Sequence, residues 1–315
     1  MRLASEEPAA GLDATRGRTV VFNSRRISLD ENLTLRAEDL GIPGGVLDAM
    51  YLDEERLLVV GASCGECESA KPVWMLVDRS GKVASGGAGD AFLKSAARAR
   101  VAKVSGESAG VVFDDISGAV RFAMWSRAKG WGDFVVVDTG ARTASLAIDP
   151  ATGEPLIAGL WNGQIAVWSR GADGVFARAV LGRPARSGAD YPPIALAPPG
   201  RPLAVVAPSA EVLGSDALYL YTKKESGWTA SKIAFTSQAL AYDVTVGDDG
   251  APWLAIREAT NAALFDLRDL NASPRVVSEA GGSGPIALTV DEAGQAVIAL
   301  WTQGRTVLIA REAGN

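Results

Sequence analysis

Two cysteines, Cys64 and Cys67, lie in the stretch "ASCGECES" and are the only cysteines of the chain. Such a C-x-x-C pair can act as a redox dithiol at the start of a helix, supply two zinc ligands, or close a small disulfide loop. No helical pattern follows the pair, because the sequence continues with Pro72 and a strand-like apolar run. A zinc site would have to take its other ligands from carboxylates such as Glu66 and Glu68. We therefore predict a Cys64–Cys67 disulfide, no metal and no cofactor.

Histidine is absent from the chain. Its absence removes the commonest general base and the commonest metal ligand, and it excludes Ser-His-Asp and Cys-His catalysis in their usual forms. Catalysis near neutral pH would have to depend on carboxylates, Tyr or Lys with shifted pKa values. One group of such residues, placed by the repeat described next, is Asp48, Arg100, Tyr242 and Asp243.

The elements that must position these residues recur along the chain. The segments "SLAIDPATGEPLIAGLWNGQIAVWSR" (145–170) and "IALTVDEAGQAVIALWTQGRTVLIAR" (286–311) share one order of strand, turn, strand, turn and strand. An apolar or small residue ends the first strand of each unit, at Leu52, Val104, Ile148, Ala197, Val246 and Val290. Most units continue with a fourth strand-sized run. Four short strands in a period of about 40 to 50 residues are typical of a β-propeller blade.

We predict an all-β fold in which residues 17–315 form a single β-propeller domain of six blades. The last unit supplies three strands, so an N-terminal strand should complete its blade and close the ring. Two candidates, "TVVFN" (19–23) and "LTLRAED" (33–39), are one strand more than closure needs, which makes seven blades the alternative. Residues 1–16 have the composition of a flexible tail.

The turn between the third and fourth strands resembles a degenerate Asp-box, the S-x-D-x-G-x-T-W motif of sialidase-like propellers. The stretch "SLDENLTL" keeps Ser28, Asp30 and Thr34 but has Asn32 for Gly and Leu35 for Trp, while "SRGADGVF" and "KKESGWTA" match less well. Such a motif stabilises a hairpin, because Ser and Asp side chains bond turn amides while Gly or Asn accepts a positive φ. The resemblance implies a blade rather than an active site, and a sialidase-like glycan hydrolase is the alternative function that it suggests.

A polar rim is expected where the innermost strands begin and where the loops between second and third strands overhang them. Asp48, Arg100 and Tyr242 each stand four residues before the end of a first strand, and Asp114 falls in an overhanging loop. The predicted rim for a ligand or partner comprises Asp48, Glu66, Glu68, Arg100, Trp161, Glu211, Tyr242, Asp243 and Glu258.

Aromatic and glycine-rich stretches complete the set of candidates. Trp125, Trp168 and Tyr221 end third strands, an equivalent placement that predicts packing between blades. Trp161, in "LWNGQ", is instead a candidate platform for a sugar ring. The stretch "GGAGDAF" (86–92) resembles part of a phosphate-binding loop but lacks the strand–turn–helix context, so we interpret its glycines as turn positions that need a positive φ.

Charge and apolar patterning limit the partners. The net charge is −6, which argues against a nucleic-acid partner, and no apolar run approaches the roughly 18 residues of a membrane helix. We predict a non-catalytic binding or scaffolding module that recognises a protein partner, as a monomer within a larger assembly. A glycan hydrolase and a carbohydrate-binding lectin are the alternatives. The predicted disulfide favours a bacterial periplasm, cell surface or secreted setting, with a leader already removed, and a cytoplasmic location is the alternative.

Overall fold

Strands joined by turns make up most of the part of the chain that the computed structural model describes. The described residues are 2–4, 11–15, 18–22, 26–31, 34–39, 41–53, 55–64, 69–78, 81–89, 92–93, 98–114, 119–149, 152–182, 195–196, 204–209, 217–233, 241–246, 252–258, 260–278, 286–290, 296–301 and 306–311. Among them, no helix is both long enough and apolar enough to cross a membrane.

The described strands form seven antiparallel sheets. A short strand, β1 (Arg2–Ala4), comes first and is followed by β2 (Gly11–Thr15), β3 (Arg18–Phe22), β4 (Arg26–Glu31) and β5 (Thr34–Asp39). The second sheet holds β6 (Val46–Tyr51), β7 (Leu57–Ala62), β8 (Pro72–Asp78) and β9 (Gly81–Gly87). The third holds β10 (Arg98–Ser105), β11 (Ser108–Asp114), β12 (Ala119–Ser126), β13 (Gly130–Trp131) and β14 (Val135–Thr139).

The remaining four sheets repeat the same order of strands. They hold β15 (Ala141–Ile148), β16 (Pro155–Trp161), β17 (Gln164–Arg170) and β18 (Phe176–Gly182); then β19 (Ala195–Leu196), β20 (Ala204–Ser209), β21 (Ala217–Lys224) and β22 (Gly227–Lys232); then β23 (Ala241–Val246), β24 (Pro252–Arg257), β25 (Ala262–Asp266) and β26 (Arg275–Ser278); and last β27 (Ile286–Val290), β28 (Ala296–Trp301) and β29 (Thr306–Arg311).

The first strands of the sheets form a closed ring. In the order β2, β6, β10, β15, β19, β23 and β27, each packs against the next, and β27 packs against β2. The predicted all-β propeller is confirmed. The first strands β6, β15 and β27 end at Tyr51, Ile148 and Val290, within one residue of the positions that the repeat predicts.

The N-terminal region differs from the six-unit prediction. The strands β2–β5 form a sheet of their own, so the described sheets number seven, as in the alternative. The two runs considered as closing strands are β3 and β5 of this sheet. The repeat of apolar first strands does not include this sheet, because its first strand, "GLDAT", has no apolar run.

The N-terminus does supply the closing strand, as the sequence predicts, but from a different segment. β1 pairs with β29, with Arg2 opposite Leu308 and Ala4 opposite Thr306. Together β27, β28, β29 and β1 make the last sheet. β1 and β2 both lie within residues 1–16, the segment whose composition suggested a tail, and the structure places both strands in sheets.

The core lies between the sheets. Leu58 and Val60 of β7 pack with Val111 and Phe113 of β11, and the other neighbouring sheets whose side chains are described share similar clusters. Every residue of β7 and of β24 is buried, because each of these sheets is covered on both faces. Trp125, Trp168 and Tyr221 are fully buried in these clusters, which confirms the predicted packing role of the third-strand aromatics.

Side chains and glycines shape the turns as the sequence suggests. Asp173, in the β17–β18 turn, accepts a hydrogen bond through Oδ1 from the Val175 N–H at 3.0 Å, and Gly174 has φ +81°. Gly227 follows the β21–β22 turn with φ +119°. Ser28 and Asp30 of the degenerate motif lie in β4, where the side chains are outside the described part of the structure.

Removing β1 tests the closure. Deletion of residues 1–10 should lower the melting temperature sharply or cause aggregation, because the edge of β29 loses its partner while β2 is kept. Circular dichroism on the full and shortened chains measures this. A synthetic peptide of residues 1–10 should restore part of the loss, whereas a scrambled peptide of the same composition should not. If the shortened chain melts like the full chain, β1 does not close the ring.

Candidate functional site

Four of the predicted rim residues lie on the inner ring of first strands, and Tyr242 is one of them. Asp48 lies on β6, Arg100 on β10 and Asp243 on β23. Burial raises the pKa of both Asp48 and Asp243. The positive charge of Arg100 acts on both carboxyls and offsets part of that rise. The inner ring therefore brings together two carboxylates and one cation from three different sheets.

Asp48 joins its own sheet to the next one. Its Oδ2 accepts a hydrogen bond from the Val101 N–H of β10 at 2.7 Å, and its side chain is buried. Burial raises the pKa of the Asp48 carboxyl, and Arg100 and the N–H groups of Val101 and Ala49 offset part of that effect.

Asp243 makes the corresponding contact on the other side of the ring. Its Oδ2 accepts from the Leu288 N–H of β27 at 2.8 Å, and its Oδ1 accepts from the Val244 N–H at 2.9 Å. Burial raises the pKa of Asp243 to about 6, although both N–H donors and Arg100 favour the ionised form. The folded protein therefore holds this carboxyl in an environment that penalises its charge.

A third carboxylate repeats the arrangement. Asp114 ends β11, rather than standing in an overhanging loop, and its Oδ2 accepts from the Ala144 N–H of β15 at 3.0 Å. Asp48, Asp114 and Asp243 each bond a main-chain N–H of the first strand in the following sheet. We call this contact a carboxylate clasp. Sequence reasoning placed two of its three members correctly on first strands but assigned them to a ligand.

The Tyr242 side chain faces away from the Asp243 side chain, although the two residues are neighbours on β23. It is buried against Leu218 and Leu220 of the preceding sheet. Neighbouring residues in a strand point to opposite faces, so Asp243 reaches the following sheet while Tyr242 faces the preceding one. The expectation that Tyr242 lines the channel mouth beside Asp243 is therefore not met, and the two side chains cannot act as a nucleophile and its acid partner.

Trp161 is covered rather than open. The Arg178 guanidinium lies over its indole ring, 3.4 Å from the ring centroid. Asp138 of the preceding sheet holds Arg178 by an ion pair and also accepts a hydrogen bond from Trp168 Nε1 at 2.9 Å. The ring face that would stack on a sugar is therefore occupied by a cation that is itself anchored.

The acidic loop residues of the predicted rim are described only in part. Glu66, Glu68 and Glu211 lie outside the described residues. Glu258 is half-buried in the turn after β24, where its main-chain N–H donates to the Asn261 carbonyl at 2.8 Å. The rim as a partner-binding surface stays a prediction.

Of the two cysteines, the structure describes only Cys64. Cys64 carries no free thiol in the structure, whereas Cys67 lies outside the described residues, so their pairing stays a prediction. In the described part of the chain, no three His, Cys, Asp or Glu residues come together in a way that could hold a metal ion.

Comparison with known proteins gives the fold and no family. No family model and no curated protein matches the chain. The chain is similar to the crystal structure of BP39L lectin from Burkholderia pseudomallei, with a TM-score of 0.64 and 12% identity over 97% of this chain and 99% of the lectin. It is also similar to SapL1 lectin in complex with alpha methyl fucoside, with a TM-score of 0.56 and 14% identity over 87% of this chain and 94% of that one.

A third similar structure is that of a complex. The structure of BBS1N in complex with ARL6DN has a TM-score of 0.60 and 11% identity over 100% of this chain and 97% of that chain. At such identities the likeness concerns the fold alone, and it supports the β-propeller.

The raised pKa of Asp243 predicts how stability depends on pH. A folded-state pKa of about 6 lies above the unfolded value near 4, so the favourable state is the protonated one. The protonated Asp243 carboxyl therefore stabilises the folded state fully at low pH, and this stabilisation is lost as the pH rises through 6. Relative to Asp243→Asn, the wild-type protein should lose at most about 3 kcal/mol of unfolding free energy between pH 4 and pH 8. Urea titrations at both pH values measure the difference.

Asp266 supplies a control of opposite sign. Hydrogen bonds from Arg268 to its carboxylate hold the pKa of Asp266 below its usual value, so its contribution is already complete above pH 5. The difference between wild type and Asp266→Asn should therefore stay constant from pH 5 to pH 8. A difference for Asp243→Asn that is equally flat would show that the Asp243 carboxyl titrates normally.

Proposed function

We propose that this chain is a non-catalytic binding module. One observation carries the proposal: the inner-ring carboxylates Asp48 and Asp243 bond main-chain N–H groups of the next sheet, at 2.7 and 2.8 Å. A general acid or nucleophile must reach the reacting atom, and these oxygens are directed at the protein's own backbone. The third member of the predicted group, Tyr242, faces the core.

The ligand is proposed to be a glycan or a protein. Two of the similar structures are lectins, which supports the first class. A similar chain in complex with another protein supports the second, together with the acidic loop residues Glu66, Glu68, Glu211 and Glu258. With either ligand, the module would act as a monomer within a larger assembly in a bacterial cell envelope or secreted setting.

The sialidase-like hydrolase is the weaker alternative. It draws support from the degenerate Asp-box motifs in the sequence, which stabilise turns and carry no chemistry. A glycosidase needs two suitably separated carboxylates, or a Tyr nucleophile with its acid partner. Asp243 and Tyr242 point to opposite faces of β23, which leaves the second arrangement without support.

A turnover assay separates a binding module from an enzyme. We expect no hydrolysis of a panel of aryl-glycosides that includes sialosides, with or without added divalent metal. Tyr242→Phe and Asp243→Asn should still fold, as judged by circular dichroism, because each keeps the shape of the original side chain. Hydrolysis that disappears in Asp243→Asn would establish the enzyme and overturn the proposal.

Binding by the immobilised full chain then decides between the ligand classes. Saturable capture of an envelope protein that weakens in a Glu66→Gln, Glu211→Gln, Glu258→Gln variant would assign a protein partner to the rim. Saturable retention of glycans that the same substitutions leave unchanged would identify a glycan as the ligand. If the chain captures neither class saturably, it is not a binding module.

A further inference from the structure

A cavity of about 710 Å³ opens between the outer parts of two neighbouring sheets, far along each sheet from the inner ring. One wall is the end of β9 with the residues after it, and the other is β12 with the segment that leads through β13 to β14. We infer that this cavity binds one pyranose residue of a glycan. The inference rests on the proposed binding function and names its ligand and its place.

Aromatic side chains form the floor and walls of the cavity. Trp74, Phe92, Trp131 and Phe134 all line it, and all four are half-buried. Phe134 holds the group together, with its ring centroid 4.8 Å from that of Phe92 and 5.6 Å from that of Trp131. The electron-rich face of an aromatic ring suits the polarised C–H groups on one side of a sugar ring.

Polar groups stand at the mouth. Lys129 and Asp133 are exposed, and neither side chain has a hydrogen-bond or ion-pair partner among the described residues. The Arg121 guanidinium lies over the Phe92 ring, 4.8 Å from its centroid, so it occupies that face of Phe92 and leaves the other three rings as candidates for stacking. A donor and an acceptor of opposite charge can each bond the hydroxyl groups at the edge of a sugar, and bonds to charged groups are the stronger ones.

Glycines keep the cavity open. A Cβ at Gly86 would come 2.8 Å from Trp74 Nε1, and one at Gly130 would come 3.1 Å from the same atom, so the lack of a side chain at both positions makes room for the indole. Gly87 and Gly89 have no positive φ, and a Cβ at Gly89 would meet nothing within 4 Å. The interpretation of this stretch as turns that need a positive φ is therefore wrong. These glycines leave room instead.

Size and charge select the ligand class. The volume falls in the range of about 300 to 1,000 Å³ that is typical of small-molecule sites and is too small for a folded partner. One carboxylate beside two cations does not make the cationic cluster that phosphates need, and the chain as a whole carries a charge of −6. A lining that combines aromatic side chains with cations and a carboxylate matches a ring that has an apolar face and a hydroxylated edge.

The test begins with the labelled full chain on a printed array of neutral and acidic glycans. Binding to glycans that share a terminal pyranose is expected. The methyl glycoside of that sugar is then titrated by calorimetry. Lys129→Ala and Asp133→Ala should each weaken binding by about tenfold or more. Gly89→Leu should weaken it as well, because Gly89 lines the cavity and a Cβ there would meet no other atom within 4 Å.

Trp228→Ala is the matched control. Trp228 is half-buried on the fourth strand of another sheet with a lysine beside it, since Lys223 Nζ lies 5.7 Å from its ring centroid. Its loss should leave binding unchanged. The inference is overturned if the labelled chain binds no glycan on the array, or if the Gly89→Leu variant binds as tightly as the wild-type protein. The proposed function would still stand if the chain captured a protein saturably, and only turnover or the absence of any capture would remove it.

Discussion

The free edge of the innermost strands is the constraint on which the structure depends. Among the described strands, each first strand pairs with the second strand of its own sheet and with no other, so half of its main-chain groups face away from the ladder. An unpaired N–H removed from water is costly. Carboxylates of the preceding sheet accept three of these donors, at Val101, Ala144 and Leu288. The clasps thus satisfy three N–H groups of the edge and tie neighbouring sheets together.

This arrangement leaves the inner-ring carboxylates Asp48 and Asp243 bonded to the protein's own backbone. A carboxylate that accepts a hydrogen bond from a main-chain N–H of the next sheet cannot move without breaking that bond. Burial raises the pKa of Asp48 and Asp243 as a consequence of that position. The outer strands are not subject to this requirement. Around β13 the chain departs from the regular four-strand pattern, and there aromatic side chains and glycines leave a cavity.

The repeated elements could be predicted from the sequence because they obey local rules. Apolar strands followed by Asp- and Gly-rich turns gave the ends of the first strands within one residue. The equivalent placement of Trp125, Trp168 and Tyr221 gave their burial. The sheet β2–β5 was missed because its first strand has no apolar run, and the closing strand was missed because three residues carry almost no pattern.

The site was harder to predict, because position in a repeat does not reveal which face a side chain takes. Tyr242 and Asp243 are neighbours in sequence, and strand alternation separates them. Trp161 gave no sign of the arginine that covers it, since Arg178 comes from another strand. The cavity could have been suspected from "GWGDF", where Trp131 stands outside the equivalent aromatic positions between two glycines. Its second wall comes from another sheet and needed the structure.

Amide hydrogen exchange of the folded protein tests the role of the clasps most directly. If the carboxylates satisfy the inner edge, the Val101, Ala144 and Leu288 amides exchange as slowly as the ladder-bonded amides of the same strands. Asp48→Ala, Asp114→Ala or Asp243→Ala should then speed exchange mainly at the amides that the lost carboxylate bonded. These are the partner amide in the next sheet and, for Asp48 and Asp243, also the amide of the following residue, Ala49 or Val244. Fast exchange at all three amides in the wild-type protein would contradict the account, since the carboxylates would then be free for another use.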